Sequence, residues 1–245
     1  MRVIAKLDVK PPHVVKPIHF EGLRKIGAPA ELALRYYEQG ADEILYIDIV
    51  ASLYRREVLF DQVEAVSQQL FVPLGVGGGV RSIDDISRLF HCGADKVTLN
   101  THVLQHNPEL IDEAARTFGS QAVVLAVEAK RWEGWWECFS DCGRERSGKD
   151  VIDWIQEAER RGAGELLVQS VDCDGRRQGF DIPLLQAAKQ AARIPVIAAS
   201  GAGSIEHVLS MALEVRPDAV AVASLLHYEL ASISALKAAL AQEGL

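Results

Sequence analysis

The chain repeats itself at half its length. "AKLDVK" (5–10) aligns with "LAVEAK" (125–130), "GADEILYID" (40–48) with "GAGELLVQS" (162–170), "GVRSIDD" (79–85) with "GAGSIEH" (201–207), and "GADKVTLNT" (93–101) with "RPDAVAVAS" (216–224). The offsets run only from 120 to 123 in a chain of 245 residues, so one unit is encoded twice. Across both copies, eight β-rich runs (3–9, 43–49, 72–76, 96–100, 122–128, 165–171, 195–200 and 219–224) alternate with amphipathic helical stretches. Such alternation builds a parallel sheet from βαβ units, and eight strands are the number that closes a barrel. The expected architecture is α/β: a (β/α)8 TIM barrel over 1–245 as a single domain, made of two half-barrels about a pseudo-two-fold axis. Every site feature should then occur twice. Helices are expected at 28–40, where Leu32, Ala33, Tyr36 and Tyr37 share a face before Gly40, and at 109–119 and 205–215.

Composition narrows the function. Hydrophobic residues make up 49% and charged residues 24%, enough apolar content for a real core, and no Ser/Gly linker divides the chain. A formal charge of −8 gives no general attraction for nucleic acid, which is therefore not expected as a partner. No apolar run approaches the roughly 18 residues of a membrane span, and "MRVIAKLDVK" enters a strand without a signal-peptide core. A soluble, cytoplasmic chain is expected. Of Cys92, Cys138, Cys142 and Cys173, only the middle two are close, and no second pair offers metal-ligand spacing, so ordinary thiols are expected. His13, His19, His91, His102, His106, His207 and His227 form no ligand set on matched strand ends, and no metal or organic cofactor is expected.

In barrel enzymes the chemistry sits at the C-terminal ends of the strands. Asp8 closes strand 1 and Glu128 closes strand 5, at equivalent positions of the repeat. One strand-end acid alone would as readily cap a loop. A symmetric pair across one mouth instead suits general acid and general base roles. Glycine-rich turns, "GVGGGVRS" (75–82) and "ASGAGS" (199–204), precede helices, where backbone amides can meet an anion. Each is partnered by a small polar strand end, "LNT" (99–101) or "VAS" (222–224), as in barrel phosphate sites. Two such cradles on opposite rims point to a substrate with a phosphate at each end.

At these residues the chain becomes specific. "LDVK", "VVKP", "YIDIVAS", "VGGGVRS", "GADKVTLNT", "TFGSQAVVLAVEAKR", "RGAGELLVQSVDCDG" and "SGAGSIEH" resemble the cyclase subunit of imidazole glycerol phosphate synthase along essentially the whole sequence. The resemblance implies that ammonia from a separate glutaminase subunit passes through the barrel to a bis-phosphorylated aminoimidazole carboxamide ribonucleotide. The products would be imidazole glycerol phosphate and an aminoimidazole carboxamide ribotide. Carried over by position, Asp8 and Glu128 are the catalytic pair, with Lys16 on a mobile loop after strand 1, and Asp48 and Ser170 as substrate or loop residues. Gly79, Asn100 and Thr101 fall on one phosphate site, and Asp174, Gly175, Gly201, Ala223 and Ser224 on the other. Arg2, Glu43, Lys96 and Glu165 fall on an ammonia gate at the opposite face, with the glutaminase docked over Asp95 and Lys96.

Several residues depart from the family pattern. Glu128 stands where the family has aspartate, one methylene longer, and a displacement on the order of 1 Å can cost about 100-fold in rate unless the pocket has shifted. Pro11, Pro12 and Pro17 should stiffen the loop after strand 1. Lys6, two residues before Asp8, should point into the barrel, where its charge must be paired. Gln169 replaces a usual threonine, and "RWEGWWECFSDCG" (131–143) reads as a hairpin flap over the mouth. Besides the histidine-pathway cyclase, three readings stay open: a cyclase-like ammonia supplier to an amidotransferase for surface-glycan sugars, a non-catalytic glutaminase-activating scaffold, and a single-chain sugar isomerase, against which the four-residue gate counts.

Overall fold

A computed structural model describes residues 1–18 and 21–245, with the backbone alone for 17, 18 and 21–23. Its strands are β1 (Arg2–Lys10), β2 (His13–Ile18), β3 (Glu21–Gly27), β4 (Glu43–Asp48), β5 (Leu74–Gly77), β6 (Lys96–Leu99), β7 (Val123–Trp132), β8 (Trp135–Ser140), β9 (Glu145–Asp150), β10 (Glu165–Ser170), β11 (Val196–Ala199) and β12 (Ala219–Val222). Eight of them pair in parallel in the order β1, β4, β5, β6, β7, β10, β11, β12, and β12 pairs back onto β1. The chain is a closed (β/α)8 barrel, and its eight parallel strands are the eight β-rich runs of the sequence. The third begins two residues late, at Leu74, because Pro73 has no amide to give a ladder. The helices foreseen from periodicity lie at Pro29–Glu38, Glu109–Phe118 and Ile205–Val215. Leu32, Ala33 and Tyr36 are buried as expected, whereas Tyr37 is half-buried.

Barrel strands are buried on both faces, which is why they read as near-continuous apolar runs rather than alternating ones. Outward residues such as Val3, Leu7, Ile44, Val76, Leu125 and Leu166 pack under the helices. Inward residues Ile4, Leu45, Val124, Ala126, Leu167, Ile197, Ala199, Ala219 and Ala221 form a separate plug inside the barrel. Among the described residues no helix is long and apolar enough to cross a membrane.

The two-fold character extends to the insertions. Both β1 and β7 overrun the barrel and turn back as antiparallel ribbons, β1–β2–β3 and β7–β8–β9. The second ribbon contains the hairpin read from 131–143. The first corrects the reading of 9–17 as a loop: Lys16 lies in strand β2, where Val9 pairs with Val14 and Lys10 with His13. Val14 and Val15 are β-branched and buried, which favours extended, paired backbone there. His19 lies outside the described residues.

Candidate active site

Four charges close the N-terminal end of the barrel. Arg2 and Lys96, at the starts of β1 and β6, each bridge Glu43 and Glu165, at the starts of β4 and β10. Lys96 Nζ is 2.8 Å from both carboxylates, and Arg2 is 2.8 Å from Glu43. Each acid has two cationic partners and each base two acidic ones, so two buried carboxylates are compensated without an unpaired charge. Burial pushes the Glu43 carboxyl up, opposed by the Lys96 ammonium. Asp95, next to Lys96, is exposed, but its Oδ2 accepts the Leu74 N–H at 2.8 Å and so also ties β5 to β6.

The mouth opposite holds two hollows. The larger, about 540 Å³, is lined by the Gly77–Arg81 turn, Asn100, Thr101, Asp48, Gln169 and Glu128. The smaller, about 20 Å³, is lined by Asp174, Gly175, Gly201, Ala223, Ser224, Lys6 and Lys16. The first set of expected anion-binding residues thus converges on one hollow and the second set on the other. Gly78 and Ser200, equivalent in the repeat, both take left-handed backbone (φ 99° and 72°), as do Gly79 and Gly201 (79° and 107°). A Cβ on Gly201 would run into the Gly179 carbonyl. Ser82 and Ser204 then cap equivalent helices, each hydroxyl accepting the N–H three residues on. Asn100 and Ala223 sit at the N-caps of the short helices Thr101–Gln105 and Ser224–His227.

Of the two acids Glu128 lines the larger hollow, whereas Asp8 lines neither and lies against the two lysines, Lys6 and Lys16, that line the smaller one. Asp8 is fully buried, with Oδ1 held by Lys6 Nζ and Oδ2 held by Lys16 Nζ at 3.2 Å; Lys16 also reaches Asp174 Oδ1 at 3.1 Å. Lys6 points inward, as its register requires. Burial alone would push the Asp8 carboxyl up, but the Lys6 and Lys16 ammoniums outweigh it and hold it well below the ordinary carboxylate range. Glu128 faces the larger hollow, its Oε2 accepting the Gly143 N–H at 2.7 Å. Burial pushes its carboxyl up to about 7, against the pull of that N–H and of the Lys6 ammonium. Each acid is therefore held by the ribbon of its own half: Lys16 of β2 on Asp8, and the turn after β8 on Glu128. That turn is further fastened where Asp141 N–H meets Thr101 Oγ1 at 3.1 Å and the Cys142 thiol meets the Ile49 carbonyl.

Two expected substrate residues are engaged differently. Asp48 lines the larger hollow while accepting from Arg56 and from the Val50 N–H at 3.1 Å. Ser170 lines neither hollow, and its hydroxyl accepts the Cys173 N–H at 3.3 Å, closing the turn after β10. Residue-type reasoning missed Arg55, Arg81, His102 and His106, which line the larger hollow with two guanidiniums and two imidazoles, His102 being pushed by burial towards its neutral form. The signal is present in "THVLQH", where two histidines four apart follow a cradle residue and so share a helix face. The buried Thr98 Oγ1, Asn100 Oδ1 and Gln169 Oε1 belong to the same lining and have no protein partner, leaving polar atoms to orient a bound molecule. Among the described residues no group of three or more His, Cys, Asp or Glu could hold a metal ion, and all four cysteines are free thiols.

The sequence has close relatives. The family described as Histidine biosynthesis protein matches residues 2–232. Imidazole glycerol phosphate synthase subunit HisF of Legionella pneumophila is 50% identical over 207 residues, 84% of this chain and 97% of that one. The proteins of the same name from Thermococcus onnurineus (strain NA1) and Streptococcus sanguinis (strain SK36) are 45% and 43% identical over 245 residues, the whole of this chain and 96% and 97% of theirs. With a match that runs through all eight barrel strands, both cradles and both acids, this chain belongs to the histidine biosynthesis protein family.

Proposed function

We propose that this chain is the ammonia-dependent cyclase subunit of an imidazole glycerol phosphate synthase, converting the bis-phosphorylated aminoimidazole carboxamide ribonucleotide to imidazole glycerol phosphate and an aminoimidazole carboxamide ribotide. The observation that carries this reading is that Asp8 and Glu128 stand at equivalent strand ends, Glu128 lining one glycine-walled hollow and Asp8 holding the two lysines that line the other. A bis-phosphorylated substrate spans the mouth with one phosphate on Gly79, Asn100 and Thr101 and the other on Gly175, Gly201, Ala223 and Ser224, beside Asp174. Lys6 and Lys16 line the second hollow, so a phosphate held there meets ammonium groups as well as backbone amides.

The two acids divide the chemistry. Glu128, poised near neutrality, has a proton to give as a carbon–nitrogen bond breaks and can take one back. Asp8, ionised across the working range, stabilises the positive charge that appears when ammonia adds. Ammonia arrives from below. The ring of Arg2, Glu43, Lys96 and Glu165 closes the entrance, and Ala126, Ala199, Ala219 and Ala221 keep the plug above it slender. The source is a glutaminase subunit seated on the N-terminal face. Phe71, in the turn just before β5, is 86% exposed there, an aromatic of the type that anchors interfaces, and Asp95, just before β6, accepts the N–H of Leu74 at the start of β5.

The same-named relatives, matched over their full lengths, favour this reading over an ammonia supplier for another pathway, and a protonatable Glu128 inside the hollow favours it over a silent scaffold. Complementation tests it. Expressed in a histidine auxotroph lacking its own cyclase subunit, on medium rich in ammonium, the chain should restore growth without histidine, and Asp8→Asn should not. Failure of the wild-type chain, expressed and folded, would reject the assignment.

A further inference from the structure

The turn between β8 and β9 has a backbone shape that occurs once among the described residues: Asp141, Cys142 and Gly143, three in a row, all lie in the left-handed region, with φ 51°, 58° and 69°. Two of the three carry a Cβ, which disfavours that region, so the shape persists only where surrounding contacts impose it. Those contacts are specific. The Arg144 N–H closes the turn on the Ser140 carbonyl at 3.0 Å. The Asp141 N–H reaches Thr101 Oγ1 at 3.1 Å, the Cys142 thiol donates to the Ile49 carbonyl, and the Gly143 N–H reaches Glu128 Oε2 at 2.7 Å. Gln105, on the same short helix as Thr101, donates to the buried Ser140 hydroxyl. Burial pushes the Cys142 thiol well up, so it stays a donor. One turn thus holds an acid with one amide and a cradle residue with another. The first ribbon does the same in its own half, where Lys16 holds Asp8 Oδ2 and, at 3.1 Å, Asp174 of the smaller hollow.

We propose that Asp141 and Cys142 are positioning residues: the left-handed turn they form braces Glu128 against the Thr101 cradle, so that one element places both the acid and the anion-binding hydroxyl. For the substrate that these two groups meet, the proposal rests on the cyclase reading above. Thr101 Oγ1 already accepts the Asp141 N–H, and its own proton has no protein acceptor among the described residues, which leaves the hydroxyl to donate to a phosphate oxygen. Glu128 Oε2 is tied to a backbone amide rather than to a flexible side chain, which fixes the carboxyl as a proton-transferring group requires. The Cys142 thiol fastens the middle of the turn to Ile49, the residue after β4, which lines the same hollow. The repeat favours this role over local packing. The two ribbons differ in sequence and in bonding, an ammonium in one and two amides in the other, yet each ties one acid to one hollow.

Nitrogen-15 NMR of the full-length chain reads both ends of the brace without any turnover. In the wild type the Gly143 amide resonance should follow the ionisation of Glu128 through a pH titration, and at pH 8 the Asp141 amide resonance should move as inorganic phosphate, added at constant ionic strength, meets the Thr101 hydroxyl. Both responses should be lost together in Cys142→Val, which removes the donor and puts a β-branched residue at φ 58°. They should return in Cys142→Ser, whose hydroxyl can still donate to the Ile49 carbonyl. If Cys142→Val does not fold, Cys142→Ala, which removes the donor alone, should diminish both responses together. With the cyclase substrate and ammonium, Cys142→Val should lower kcat and raise KM, each by about tenfold, because acid and anion site lose their placement at once, and Cys142→Ser should restore both. Loss of one response without the other, or both responses unchanged in the variant that folds, would overturn the proposal. A wild-type chain that shows both responses without turnover would instead defeat the cyclase reading and leave the brace standing.

Discussion

At the scale of single residues, the pair Asp8 and Glu128 shows how one mouth can hold two carboxyls with opposite tendencies. Glu128 is buried with one backbone N–H on it, so the fold prefers its neutral form; Asp8 is buried between two ammoniums, so the fold prefers its charge. The pH dependence follows with opposite signs. For Glu128 the folded value lies near 7, above its ordinary 4.5, so its ionisation destabilises the fold progressively as pH rises from about 4.5 to 7 and fully beyond. Glu128→Gln, which mimics the neutral acid, should therefore raise thermal stability at pH 8 by about 2–3 kcal/mol relative to wild type, and by less at pH 5, while lowering kcat by at least about 100-fold. Calorimetry at both pH values with steady-state kinetics checks it. For Asp8 the folded value lies below 3.8, so its stabilisation is present above that pH and disappears as pH falls through the folded value. Asp8→Asn leaves Lys6 and Lys16 facing an amide, and urea unfolding at pH 7 should show a loss of about 3–5 kcal/mol.

At the scale of elements, the turns after β5 and β11 are held by backbone shape rather than by side chains. Gly201 has φ 107° and no room for a Cβ beside the Gly179 carbonyl, so Gly201→Ala should cost about 1–3 kcal/mol and weaken substrate binding. Gly40 has φ 91° with open space around its Cβ position, so Gly40→Ala should cost only the backbone strain and leave kinetics unchanged. Thermal melts of the two variants, with KM for the substrate, separate the cases. Both cradles were legible in the sequence because glycine is favoured where φ is positive, as at Gly78, Gly79 and Gly201, and the repeat doubled the signal, although Ser200 takes the same left-handed backbone. The barrel strands were legible because burial on both faces leaves unbroken β-rich runs. The two ribbons were only half legible. "RWEGWWECFSDCG" carries its aromatic alternation openly, whereas "VKPPHVVKP" has three prolines that read as loop, and its strand character comes from the pairing of Val14 with Val9 and the burial of Val14 and Val15. The lining by Arg55, Arg81, His102 and His106 was illegible because its members come from two separate loops and from the short helix Thr101–Gln105 with its C-cap, and meet only in the fold.

At the scale of the whole molecule, the barrel separates two tasks along its axis: a charged ring and an exposed aromatic at one end, acids and hollows at the other, and an alanine-rich plug between them. The two ends should therefore fail independently. Phe71→Asp should weaken glutaminase binding by about tenfold or more in titration calorimetry while leaving ammonium-supported turnover at the wild-type level. Everything proposed for the upper end depends on Asp8 and Glu128 acting on a bis-phosphorylated ribonucleotide and free ammonia. The direct measurement is the loss of substrate absorbance when the purified chain alone is given that ribonucleotide and an ammonium salt at pH 8, with both products identified. The account expects turnover in the wild-type chain that is abolished in Asp8→Asn and Glu128→Gln. A folded wild-type chain that binds the ribonucleotide and leaves it intact, or a Glu128→Gln variant that turns it over at the wild-type rate, would contradict it.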